Sequence, residues 1–92
     1  MGGREIIEDK PPNELILEDI QKAIANNQIK RYDGPKEVTF IKVLSVESLF
    51  GNKKAPYEAN FQFSYSINDE SLVYRSSIVY LKTKTGWSSD FQ

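Results

Sequence analysis

Between Tyr57 and Ile67 the chain alternates without a break, Tyr57, Ala59, Phe61, Phe63, Tyr65 and Ile67 against Glu58, Asn60, Gln62, Ser64 and Ser66. A period of two is the pattern of an extended strand with one face packed and one face wet, and a helix does not present it. The segment therefore commits the fold to an antiparallel sheet that needs a cover on one side only. Two other stretches supply neighbours. Val38 to Val46 is rich in β-branched residues and apolar on both faces near its middle. Leu72 to Lys82 carries Leu72, Tyr74, Ile78 and Tyr80 on one face, with Val73, Val79 and Leu81 on the other. Asn68-Asp69-Glu70-Ser71 predicts one hairpin turn and Thr83-Lys84-Thr85-Gly86 a second, after which Trp87, Ser89 and Phe91 share one side of a short last strand.

The cover is written upstream. Ile16, Leu17, Ile20, Ala23 and Ile24 recur at the spacing of one helical face, and the stripe fades by Gln28. Pro11-Pro12-Asn13 predicts the start of this helix, with Asn13 as its cap; Asn26-Asn27 weakens its end, and Asp33-Gly34-Pro35 finishes it. Glu18 and Lys22 are placed as an i, i+4 pair. Residues 1–11 read as an N-terminal arm, either partly disordered or adding a short strand over Arg4 to Glu8. The whole order predicts one α+β domain over residues 1–92, a single N-terminal helix packed on a curled four-stranded antiparallel sheet.

Composition narrows the chemistry more than the fold. The 92 residues contain no cysteine and no histidine. Disulfides, thiolate nucleophiles and zinc knuckles are thereby excluded, and the commonest general base near neutral pH is missing. Asp69-Glu70 lie in a turn, and Glu47 and Glu58 flank the longest loop, where water keeps a carboxylate acidic rather than poised for proton transfer. No phosphate-cradling glycine motif, nucleophile elbow or calcium loop occurs. The expectation is a protein that is not an enzyme and holds no metal or cofactor. A net charge of −1 without a basic stripe argues against nucleic acid. No apolar run approaches the roughly 20 residues of a bilayer span, so membrane insertion is not expected. The N-terminus lacks the apolar stretch of a signal peptide. That leaves a cytoplasmic protein or the mature domain of an exported one, with the extracytoplasmic reading favoured.

What remains is binding, to another protein or to a second copy. Leu49 and Phe50 are apolar in the loop from Ser48 to Pro56, where the chain should be exposed, and either fold over the end of the sheet or face a partner. Trp87, directly after Gly86, either anchors the last strand against the helix or projects from the hairpin. The candidate binding residues are therefore Leu49, Phe50, Gly51, Gly86 and Trp87.

A helix followed by an antiparallel meander resembles, over residues 13–92, the cystatin-like and NTF2-like group of folds. Ile78 to Phe91 runs apolar-x-apolar-x-Lys, turn, Gly-Trp, short polar strand, and is similar to the ending of small bacterial NTF2-like accessory domains. That resemblance implies a non-enzymatic binding or assembly module. Cystatin inhibitors use an N-terminal glycine, a first hairpin loop reading Q-x-V-x-G, and a second hairpin with Pro-Trp. Gly3, Glu47-Ser48-Leu49-Phe50-Gly51 and Gly86-Trp87 stand in the same order. Gly51 and Trp87 match, whereas Glu47, Leu49 and Gly86 replace the glutamine, valine and proline. This second resemblance implies inhibition of papain-like cysteine proteases. A third reading is a small-ligand carrier using the concave face of the sheet.

Overall fold

The computed structural model describes residues 10–92, so Gly3 and the short strand considered for Arg4 to Glu8 lie outside the described residues. Helix α1 spans Asn13–Ala25, and strands β1 (Thr39–Ser48), β2 (Tyr57–Ile67), β3 (Glu70–Thr83) and β4 (Gly86–Phe91) follow it. The strands form one open antiparallel sheet in the order β1-β2-β3-β4, each paired with its neighbour in sequence. This is the α+β arrangement expected from the two hydrophobic periods.

The helix and the sheet meet through side chains at those same periods. Ile16, Ile20, Ala23 and Ile24 form the buried face of α1, and Ile29 joins them from the segment that follows. Opposite them lie Tyr57, Ala59, Phe61 and Phe63 of β2 with Ile78 and Tyr80 of β3. The hollow where a carrier would hold a ligand is thus occupied by rings and branched chains with no accessible surface, Phe61, Phe63, Tyr80 and Ile78 among them. Leu15 adds a partly buried contact that the sequence stripe leaves out. Glu18 and Lys22 stand 3.7 Å apart on the wet side, a pair exposed enough to add little.

Both ends of the helix differ from expectation. Pro12, extended at φ −71 and ψ 150, is the residue that caps α1, and no side chain caps it. Proline's ring already holds the extended φ, and the Pro12 carbonyl accepts from the Ile16 N–H at 3.1 Å, so Asn13 is drawn into the first turn. At the other end Gly34-Pro35 arrives too late. Asn27 turns left-handed at φ 57, its N–H donates to the Ile24 carbonyl, and the Gln28 N–H donates to that of Ala23. That pair of bonds is a Schellman motif with asparagine in the glycine position.

β1 is an edge strand with two irregularities. Its register slips between Thr39 and Lys42 and again between Val43 and Ser45, which inserts one extra residue each time. Phe40, 83% exposed at φ 53, belongs to the first bulge, and Leu44, 45% exposed, to the second. The apolar content on both faces of β1 is resolved in this way: Ile41, Val43 and Val46 pack toward the core while the bulged residues are left outside. The β2–β3 hairpin needs only Asn68-Asp69, both left-handed at φ 52 and 65, as a two-residue turn of the primed type suits.

Candidate functional site

Meander topology sends the first and third strand connections out of the same end of the sheet. Ser48, Tyr57, Tyr80 and Ser89 form one row across all strands, and the loop after Ser48 and the turn after Thr83 both extend beyond it. The helix also begins near that end. Residues Lys10 to Asn13 line an open groove with Val43 to Val46, while Ile24 and Ala25 sit with Lys36 to Ile41, so α1 runs antiparallel to β1.

The β1–β2 loop is fixed by its own bonds. The Leu49 N–H donates to the Pro56 carbonyl at 3.0 Å and closes the base. The Ser48 hydroxyl lies 2.7 Å from the Gly51 carbonyl and 2.6 Å from that of Lys54, and its one proton serves either. Gly51, Asn52 and Lys53 follow one another in the left-handed region at φ 79, 63 and 53. A Cβ added at Gly51 would meet nothing within 4 Å, so backbone conformation, not crowding, favours glycine there. The outcome is a held apex that leaves Phe50 80% exposed and Leu49 43% exposed.

Trp87 is turned the other way. Its ring meets Tyr57 edge to face at 6.1 Å and Tyr80 at 6.4 Å, and Lys82 Nζ stands 4.6 Å from the ring centroid. It is half-buried and closes the end of the core, while Gly86 before it adopts φ 149 with open space around its Cα. Of the five candidate residues, then, Leu49, Phe50 and Gly51 form an outward-facing apex, and Gly86 and Trp87 brace the neighbouring hairpin from inside. Beneath them Tyr57 is 3% exposed and its hydroxyl has no hydrogen-bond partner among the described residues.

Three features here escape a reading of single residues. Ser48 holds the loop, yet an isolated serine carries no signal. Lys53 and Lys54 on the loop and Lys82 and Lys84 on the hairpin reach the same end, although each run looks trivial in sequence. The strand order alone would have revealed that, since connections one and three of a meander share an end. Thirdly, the Tyr80 hydroxyl donates to Asp19 Oδ2 at 2.6 Å, tying β3 to α1. Burial, and then the hydrogen bond to Asp19, push the Tyr80 hydroxyl well above its ordinary value of 10.0.

The four carboxylates singled out in the sequence are split between two places. Glu47 and Glu58 face each other across the β1–β2 ladder on the open side of the sheet, and Asp69 and Glu70 are exposed at the far turn. Among the described residues no set of three or more acidic side chains is placed to hold a metal ion, and no helix is long and apolar enough to cross a membrane. No protein-family model, curated protein or solved structure matches the chain.

Proposed function

We propose that this chain is a non-catalytic protein-binding module that offers the β1–β2 loop, with Phe50 at its apex, to a partner protein or to a second copy of itself. The observation that carries this reading is the combination of exposure and fixation at one place. Phe50 is 80% exposed on a loop whose base and interior are hydrogen-bonded. A large apolar side chain held in water has no role in the core, and a loop ordered in advance loses little entropy on docking. Affinity capture run side by side with the wild type and Phe50→Ala, with light scattering over a concentration series for self-association, tests it. A partner or oligomer held by the wild type and weakened at least tenfold in the variant is expected. Identical captures and an unchanged oligomeric state would rule the reading out.

One observation favours a second reading, a cystatin-type inhibitor of papain-like cysteine proteases. Both hairpin connections and the start of the helix lie toward a single end of the sheet, as a three-part wedge requires. The inward turn of the Trp87 ring departs from such a wedge. Titration of papain separates the two, and no inhibition at tens of micromolar protein disposes of the inhibitor.

A further inference from the structure

We propose that the outer edge of β3 between Glu70 and Ser76 pairs with the same edge of a second copy of this chain, the two running antiparallel about a two-fold axis at Leu72. β3 spans 14 residues and β4 only 6, and their ladder begins at Ile78. The Gln92 N–H reaches the Ser77 carbonyl at 3.0 Å, which fixes the parity of the strand. Ser71, Val73 and Arg75 therefore point their N–H and C=O groups the same way as Ser77, outward from β2. Among the described residues none bonds to these groups. Such an edge is a template for another strand, and the devices that blunt one are missing here. Its register against β2 runs unbroken from Tyr80 to Glu70, whereas the β1 edge is interrupted by two bulges. No proline or lysine stands in it, and Leu72 is 37% and Val73 55% exposed.

A second copy suits this edge because the edge complements itself. Asp69 and Glu70 stand at its start and Arg75 near its end. Antiparallel pairing about Leu72 sets Arg75 of each copy against Asp69 of the other. It also sets Glu70 against Tyr74, whose hydroxyl donates to the Lys30 carbonyl and so brings the Lys30–Arg31 segment alongside. Arg75 gives one N–H to Gln62 Oε1 at 2.9 Å and keeps others for an acid. Further round toward β1, Asp33, Lys36 and Glu37 come close to cancelling. The pairing makes Ser71 and Val73 the hydrogen-bonded partners and lays the two Leu72 side chains against each other, the closer kind of opposition. An axis at Val73 instead would drive Gln92, held beside Ser77, into the β2–β3 turn of the other copy. So short a strip suits a weak dimer, with a dissociation constant on the order of 100 μM.

Sedimentation equilibrium from about 10 μM to about 1 mM tests this, with amide exchange in heavy water followed by NMR at the two extremes. The wild type should fit a monomer–dimer equilibrium, and the Ser71 and Val73 amides should exchange at least tenfold more slowly at the high concentration. Leu72→Lys places like charges opposite each other across the axis, and Val73→Pro removes an outward N–H without touching the ladder to β2. Each should weaken the dimer at least tenfold, while Phe50→Ala leaves it unchanged. Leu72 lies outside the buried core, so its lysine variant decides the matter even if the proline strand fails to fold. A monomer at about 1 mM overturns the proposal, as does a dimer that survives Leu72→Lys. Association that continues past two copies means that unlike edges meet, and protection independent of concentration means an edge covered within one chain; either result overturns the two-fold pairing. A dimer lost in Phe50→Ala but not in Leu72→Lys belongs to the β1–β2 loop and overturns the β3 edge as its seat.

Discussion

Two buried tyrosines side by side in the ladder, Tyr57 and Tyr80, have opposite polar fates. The Tyr80 hydroxyl finds Asp19, whereas that of Tyr57 is enclosed without a partner among the described residues. An unpaired buried hydroxyl costs about 1–3 kcal/mol, so Tyr57→Phe, which keeps the ring against Trp87, should raise unfolding stability by about 1 kcal/mol. Urea denaturation checks this through the midpoint at unchanged slope. A clear loss of stability would mean that the oxygen makes a contact of value. The inward turn of both rings was legible from their period-two positions. The outcome for their hydroxyls was not, because Asp19 is 61 residues from Tyr80 and on another element. Phe40 shows the converse. Its place in an apolar run suggested packing, but a bulge puts it 83% in water. Residue identity alone gives no sign of where a ladder slips.

At the scale of elements, the buried faces could be read in advance and the ends could not. The stripe of α1 and the alternation of β2 both follow from side-chain periods, which sequence displays directly. Termination depends on backbone geometry, and the obvious punctuation, Gly34-Pro35, loses to Asn27. Asparagine tolerates the left-handed region better than other residues with a side chain, and the two bonds from Asn27 and Gln28 satisfy carbonyls that the helix end would otherwise leave open. Asn27→Ala should therefore cost about 1 kcal/mol, while Asn27→Gly should be neutral or slightly stabilising. Paired thermal melts decide it, and equal effects of the two substitutions would remove the helix stop from Asn27. The candidate site was half visible on the same grounds. Leu49 and Phe50 are apolar in a loop, a local signal, but the clamp by Ser48 and the assembly of lysines depend on which ends of which strands meet.

For the molecule as a whole, the tie between Tyr80 and Asp19 makes stability depend on pH in a definite direction. The Tyr80 hydroxyl is raised above its ordinary value of 10.0, so the folded state favours the protonated form. The stabilisation is complete below pH 10 and is lost as the pH climbs past it, because the unfolded chain then releases a proton that the folded one retains. Tyr32 shifts the same way, through burial and then the charge of Tyr65, and steepens the decline. Tyr80→Phe should flatten the alkaline limb of a stability–pH profile; an unaltered limb would show that this hydroxyl titrates alike in the folded and unfolded chain. The meander has a last consequence, concerning the order in which the ribosome delivers the parts. Residues 13–25 leave before the sheet, and the rings that roof them, Phe61, Phe63 and Tyr80, come dozens of codons afterwards. A lone thirteen-residue helix is marginal in water. On a nascent polypeptide the helix thus gains most of its packing only once the second and third strands have followed it.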